Sequence, residues 1–208
     1  VVQGYFITLE GIEHCGKTTQ AKALVDSLRS DSHDVVLTRE PGGTPFGQSI
    51  RDLLLHQPSA QVDKVAELLL FAADRAQHVN TVILPALAAG KVVISDRFYD
   101  STRAYQGYGR EIPIDLIDRA VLLATGGLTP DLSILVDIDL ATSRRRSPAE
   151  TDDRIEQSHN SFFERVREGF RTIALAEPER FLILDGAEPI AEVARRTYVE
   201  TTKRLATR

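Results

Sequence analysis

The chain has 208 residues and a formal net charge of −5, with 42% hydrophobic and 26% charged residues. That length suits one domain with a substantial core, and the composition excludes disorder, a disulfide scaffold and a coiled coil. No stretch is dense enough in Lys and Arg to follow a nucleic acid or coat a membrane, and no apolar run reaches the roughly 18 residues of a membrane helix. The single Cys15 cannot close an intramolecular disulfide, and the start of the chain lacks the pattern of a signal peptide. We therefore expect one domain over residues 1–208, cytoplasmic, with neither nucleic acid nor membrane as a partner.

The first apolar run, Tyr5 to Leu9, reads as a strand. Directly after it comes Gly11-Ile12-Glu13-His14-Cys15-Gly16-Lys17-Thr18, which matches GxxxxGK[ST], and then a helical pattern over Thr18 to Ser30. Strand, loop and helix in this order are the context that the phosphate-binding loop requires. Its glycines let backbone N–H groups surround phosphate oxygens, and the helix start adds a positive dipole end. Lys17 can bridge the β- and γ-phosphates, and Thr18 offers a hydroxyl to Mg²⁺. The expected ATP-binding residues run from Gly11 through Thr18 to Thr19. Within them His14 reads equally as a solvent-facing side chain or a phosphate contact, and Cys15 as loop packing.

A second strand, Val35 to Thr38, leads to Arg39 and to the turn Glu40-Pro41-Gly42-Gly43-Thr44, followed by a helical pattern over Pro45 to Leu55. A long helical pattern over Val62 to Ala89 carries Phe71 and Arg75, four apart and so on one face. The third strand, Val92 to Ser95, ends in Asp96-Arg97, and after a helical turn Gln106 to Pro113 reads as irregular. Then follow a helix over Ile114 to Thr125, a strand over Leu132 to Val136, and the basic cluster Arg144, Arg145 and Arg146. Ser147 to Asp153 reads as irregular and precedes Arg154. A helix over Phe162 to Ala176, a strand over Phe181 to Leu184 and a helix over Ile190 to Leu205 complete the chain. The strands are β-branched and nearly continuous rather than alternating, as in a parallel sheet covered on both faces. The expected fold is α/β, a doubly wound parallel five-stranded sheet flanked by helices, with ligands at the carboxyl ends of the strands.

Transfer of a phosphoryl group onto a phosphorylated acceptor gathers several negative charges, so arginines are needed from more than one direction. Arg39, Arg97 and Arg154, at strand ends and loops, meet that need. In this setting Leu9-Glu10-Gly11, Thr38-Arg39-Glu40-Pro41-Gly42-Gly43-Thr44, Phe71-Ala72-Ala73-Asp74-Arg75, Asp96-Arg97-Phe98-Tyr99, Ala104-Tyr105-Gln106-Gly107 and Asp153-Arg154-Ile155-Glu156 resemble the thymidylate kinase family in order and spacing. The resemblance covers about Phe6 to Glu156. It implies transfer of the γ-phosphoryl of ATP to dTMP, with Arg39 and Arg97 on the acceptor phosphate and Asp96 orienting Mg²⁺ with Thr18. It also implies Phe71 stacked on the base with Arg75 at its edge, and Ser101, Tyr105 and Gln106 around base and deoxyribose. Tyr105 would lie against the 2′ carbon, Glu13 would face the acceptor sugar, and the protein would be a homodimer.

The lid, expected at about residues 141–155, is similar to the bacterial type, whose basic residues lie there rather than in the phosphate loop. Lys17, Glu13, Arg97 and Arg154 are the expected catalytic set, and Arg144 and Arg145 the further ATP contacts. The acidic Glu150, Asp152 and Asp153 depart from the family pattern and leave open which arginine reaches the transferring group. Among rivals, a nucleoside kinase would need a carboxylate base, for which Glu13 or Glu40 are candidates, but paired acceptor arginines suit an anionic acceptor better. A GTPase-like switch lacks its guanine-reading sequence here.

Overall fold

The computed structural model describes residues 4–55, 62–147, 154–156 and 158–207. The expected apolar runs form five parallel strands, β1 (Tyr5–Glu10), β2 (Val35–Arg39), β3 (Val92–Asp96), β4 (Leu132–Asp137) and β5 (Phe181–Asp185), in the order β2-β3-β1-β4-β5. Each strand runs one residue beyond its apolar stretch, and the added residues are Glu10, Arg39, Asp96, Asp137 and Asp185. Apolar patterning stops where the sheet emerges from the core, so every strand ends in a charge at the carboxyl edge. The register puts Leu9 level with Asp96, and Asp96 level with Arg39.

Helices cover both faces: α1 (Lys17–Ser30), α2 (Pro45–Leu55), α3 (Lys64–His78), α4 (Leu84–Ala88), α5 (Tyr99–Thr102), α6 (Ile114–Thr125), α7 (Leu140–Arg146), α8 (Asn160–Ala176) and α9 (Ile190–Ala206). The two faces explain the continuous apolar character of β1. Tyr5, Ile7 and Leu9 point into one buried cluster with Leu24, Ile134 and Phe170, while Phe6 points into the other with Val93, Phe98 and Ile117. Among the described residues no helix is long and apolar enough to cross a membrane.

Three segments differ from the expectation. The single helix expected over Val62 to Ala89 is α3, a π-helical turn Val79–Ile83 and α4. Pro85 lies at the start of α4; it lacks an N–H and its ring crowds the preceding turn, and a widened turn relieves this. The irregular segment expected from Gln106 is instead helical as far as Gly109, because α5 continues as a π-helix over Arg103–Gly109. Its Gly109 serves close packing, since a Cβ there would lie 2.5 Å from Phe162 Cε2 on α8. Arg144, Arg145 and Arg146 stand on α7, whose N-cap Asp139 accepts from Thr142 N at 2.6 Å. Of the expected lid, residues 148–153 lie outside the described residues.

Candidate active site

The loop between β1 and α1 is closed by glycine geometry. Gly11 has φ +138°, and a Cβ there would lie 2.5 Å from the Val136 carbonyl oxygen, so no other residue fits. Ile12 and Cys15 bury their side chains in the core, as the packing reading of Cys15 requires, and the Cys15 sulfur also accepts from the Lys17 ammonium at 3.5 Å. The Lys17 ammonium donates to the Ile12 carbonyl at 2.7 Å, folded back over its own loop. Thr18 Oγ1 donates to Asp96 Oδ2, joining the start of α1 to the end of β3. Thr18 and Thr19 are exposed. The His14 side chain is 24% exposed, with Nε2 3.4 Å from Glu156 Oε2.

Arg97 leaves β3 with φ 74°, a left-handed conformation uncommon outside glycine. Surrounding contacts hold it there: Nη1 donates to the Gly11 carbonyl at 2.9 Å and Ser101 Oγ at 3.0 Å, and Nη2 to Glu13 Oε1 at 3.0 Å. The Tyr105 hydroxyl donates to the same Glu13 oxygen at 2.6 Å, and its ring lies edge-on to Phe162 and Phe170. Burial alone would lower the Arg97 pKa, but Tyr105, Glu13, Asp96 and Glu10 raise it, and the guanidinium stays charged. Glu10, fully buried, accepts from Phe98 N at 2.8 Å and from Ser101 Oγ at 2.6 Å. Burial and the nearby Asp100 push its carboxyl up to about 8.

These groups open on a cavity of about 320 Å³, also lined by Lys17, Arg39, Phe71, Arg75, Ser101 and Gln106, a volume at the lower end for a small-molecule site. One wall is the face of α3 carrying Phe71 and Arg75. Arg75 is 2% exposed, with Nε on Glu40 Oε2 at 2.8 Å and Nη2 on the Phe98 carbonyl at 3.2 Å. Its Nη1, also buried, has no hydrogen-bond partner. Glu40 is held in turn by His78 Nδ1 at 2.9 Å, and His78 Nε2 meets Thr38 Oγ1 at 2.6 Å. Asp74 accepts from Gly42 N at 3.1 Å, and burial with the Glu40 charge pushes its carboxyl up to about 6. Gln106 is buried and donates through Nε2 to Glu67 Oε1 at 2.9 Å.

All the expected acceptor residues therefore converge: Glu13, Arg39, Phe71, Arg75, Arg97, Ser101, Tyr105 and Gln106 line one cavity with Lys17, Thr18 and Asp96. The lid arginines do not. Arg154 turns to Glu67 Oε2 at 2.6 Å and the Leu54 carbonyl at 3.0 Å, although the following Ile155 and Glu156 line the cavity. Arg144 donates to Asn160 at 3.1 Å and lies over the Phe163 ring, beside Glu13 and His14, while Arg145 bonds Thr142 at 2.7 Å. Glu10 and Glu67 had no assigned role in the acceptor site from sequence, and Glu40 was named only as a candidate base for a nucleoside kinase, yet all three carboxylates hold residues of this site in place. Helical spacing carried a signal for Glu67, which precedes Phe71 by one turn of α3, and a charge closing an apolar strand carried one for Glu10.

The thymidylate kinase family model matches residues 9–197. The thymidylate kinase of Geobacter sulfurreducens is 50% identical over 198 residues, covering 92% of this chain and 93% of that one. The one from Deinococcus radiodurans is 44% identical over 203 residues, covering 97% and 98%. The crystal structure of thymidylate kinase from Ehrlichia chaffeensis superimposes with a TM-score of 0.79 at 36% identity, covering 97% of this chain and 99% of that one.

Proposed function

The chain belongs to the thymidylate kinase family, and from that premise we propose that it transfers the γ-phosphoryl group of ATP to dTMP, giving dTDP and ADP, through this cavity. The observation that carries the reading is convergence: the Lys17 loop, the Arg39 and Arg97 guanidinium groups and the Phe71–Arg75 face of α3 open on one space. Cations at one end suit two phosphorylated substrates, and a ring with a buried donor at the other suits a base.

In this reading the phosphates of ATP replace the Ile12 carbonyl as the partner of Lys17. Arg39 and Arg97 clamp the acceptor phosphate, an anion that needs neutralising rather than deprotonating. Phe71 stacks on the base, Arg75 and Gln106 address its edge, and Glu13 faces the sugar. Tyr105, buried against Phe162 and Phe170, is a fixed wall at the 2′ carbon. Thr18 and Asp96 present adjacent hydroxyl and carboxylate oxygens, a donor pair suited to Mg²⁺. The ion would supply charge neutralisation between the phosphates. Arg144 and Arg145 serve the ATP side, and Arg154 reaches the transferring group only by leaving Glu67. We further propose one domain over residues 1–208 with a lid at about 141–155, a cytoplasmic homodimer, and no nucleic-acid or membrane partner.

Release of ADP from ATP and Mg²⁺, measured across a panel of nucleoside monophosphates, tests the proposal. dTMP is expected to be the best acceptor, dUMP weaker and purine monophosphates poor. A purine monophosphate as best acceptor overturns it.

A further inference from the structure

Resting on that reading of the acceptor site, we propose that Glu67 is a specificity-determining positioning residue: it fixes the Gln106 amide so that, with Arg75, the cavity selects a pyrimidine bearing an imide edge over an aminopyrimidine. A glutamine amide offers a donor end and an acceptor end that interchange by a half turn, and only its partners decide between them. Here the partner is a carboxylate, 1% exposed, which receives Gln106 Nε2 at 2.9 Å. An ionised carboxylate cannot donate, so the Gln106 carbonyl cannot take that place, and the acceptor end is the one left over.

Glu67 is itself held from behind. Arg110 Nε and Nη2 donate to it at 3.2 and 3.3 Å, and Arg154 Nη2 at 2.6 Å. Burial acts to raise its pKa, but Arg110, Gln106 and Arg154 together lower it. The other polar group at this end of the cavity has equally fixed polarity. Arg75 is spent at Nε and Nη2, leaving the unpartnered Nη1, and a guanidinium only donates.

One fixed donor and one fixed acceptor read the edge of a base. Uracil and thymine present the C4 carbonyl as acceptor and N3–H as donor, which complement both. Cytosine presents an amino donor at C4 and a bare N3 acceptor, so each contact meets its own kind. Unmatched buried polar groups of this sort are expected to lower acceptance by about tenfold to a hundredfold for each mismatch.

The test compares dUMP with dCMP, which differ only at that edge, by steady-state kcat and KM in the full-length enzyme. The wild type is expected to prefer dUMP. In Glu67→Gln a carboxamide can donate, Gln106 is released to turn, and the preference is expected to fall by about tenfold or more, chiefly through a lower KM for dCMP. A role in stability alone would weaken both acceptors alike, and an unchanged ratio overturns the proposal. The double variant Glu67→Gln/Gln106→Glu returns a fixed acceptor to the base side and keeps a carboxylate near Arg110 and Arg154. It is expected to regain the preference, and it carries the test if the single variant does not fold; a double variant without preference overturns the proposal. A wild type that does not prefer dUMP to dCMP instead sinks the reading of Arg75 and Gln106 as base contacts, and the proposal with it.

Discussion

The base end and the phosphate end of the cavity are built differently. At the base end, Arg75, Gln106 and Tyr105 are each engaged by a carboxylate, respectively Glu40, Glu67 and Glu13. At the phosphate end Arg97 is held by Glu13, but the other cations are held more loosely: Lys17 bonds a carbonyl of its own loop, Arg145 bonds a neighbouring threonine, and Thr18, Thr19 and the α7 arginines are exposed. Carboxylates oriented from behind fix donors and acceptors before substrate arrives, so recognition costs little reorganisation. Backbone and hydroxyl partners are weaker than phosphate oxygens and are readily exchanged for them. The base end is thus shaped for selection and the phosphate end for rearrangement around a transferring group.

The largest effect expected from breaking this contrast is at Lys17. Lys17→Ala removes the cation nearest the phosphate loop, and kcat is expected to fall by about 10²- to 10³-fold in steady-state assays with saturating ATP and dTMP. Retained turnover would mean that the loop backbone alone stabilises the transferring group.

Arg154 sits between the two ends, bonded to Glu67 on the base side yet expected at the phosphates. Arg154→Ala is expected to lower kcat by about tenfold or more while raising the KM for dTMP less, the pattern of a group acting on transition-state charge. A changed KM with an unchanged kcat would make Arg154 part of the base-end frame and pass the phosphoryl contact to Arg144, Arg145 or Arg146.

The smallest effect concerns Glu10, which braces the turn after Arg97 through Phe98 and Ser101. Burial, and after it the Asp100 charge, push its carboxyl up to about 8 in the fold against an ordinary 4.5, with the Ser101 hydrogen bond and Arg97 opposing. Between those values the folded protein holds the extra proton, so stability falls as pH rises through this window. Glu10→Gln has no such proton to lose, and its melting temperature is expected to decline less between pH 5 and 8. The change should be a few degrees, on the scale of roughly 2–4 °C per kcal/mol for a chain this long. Parallel melting curves for the two proteins would place the proton elsewhere.

Much of this was legible because it is local. The phosphate loop is contiguous, its glycines and Lys17 constrained by the turn they make. Strands covered on both faces announce themselves as continuous apolar runs. Phe71 and Arg75 share a face because they are a helical turn apart. The helical state of Gln106 to Gly109 was hidden because Gly107 and Gly109 are turn formers by habit, whereas here they admit Ile114 and Phe162. The π-helical turn before Pro85 depends on how the chain relieves one ring, and the destination of Arg154 on a carboxylate many residues away.

By itself the sequence determined the five strands, the parallel sheet and the phosphate-binding loop, since each follows from periodicity, from turn chemistry or from a contiguous motif, while the residues that meet at the acceptor cavity were implied by the family resemblance. The family was legible in the same local motifs, taken together. Only the tertiary structure decided which way the polar groups point. Three carboxylates, Glu10, Glu40 and Glu67, were brought from β1, the turn after β2 and α3 to stand behind Ser101, Arg75 and Gln106. A hydrogen bond across distant segments has no period in the chain, and a side chain's orientation is settled by the partner that packing delivers to it.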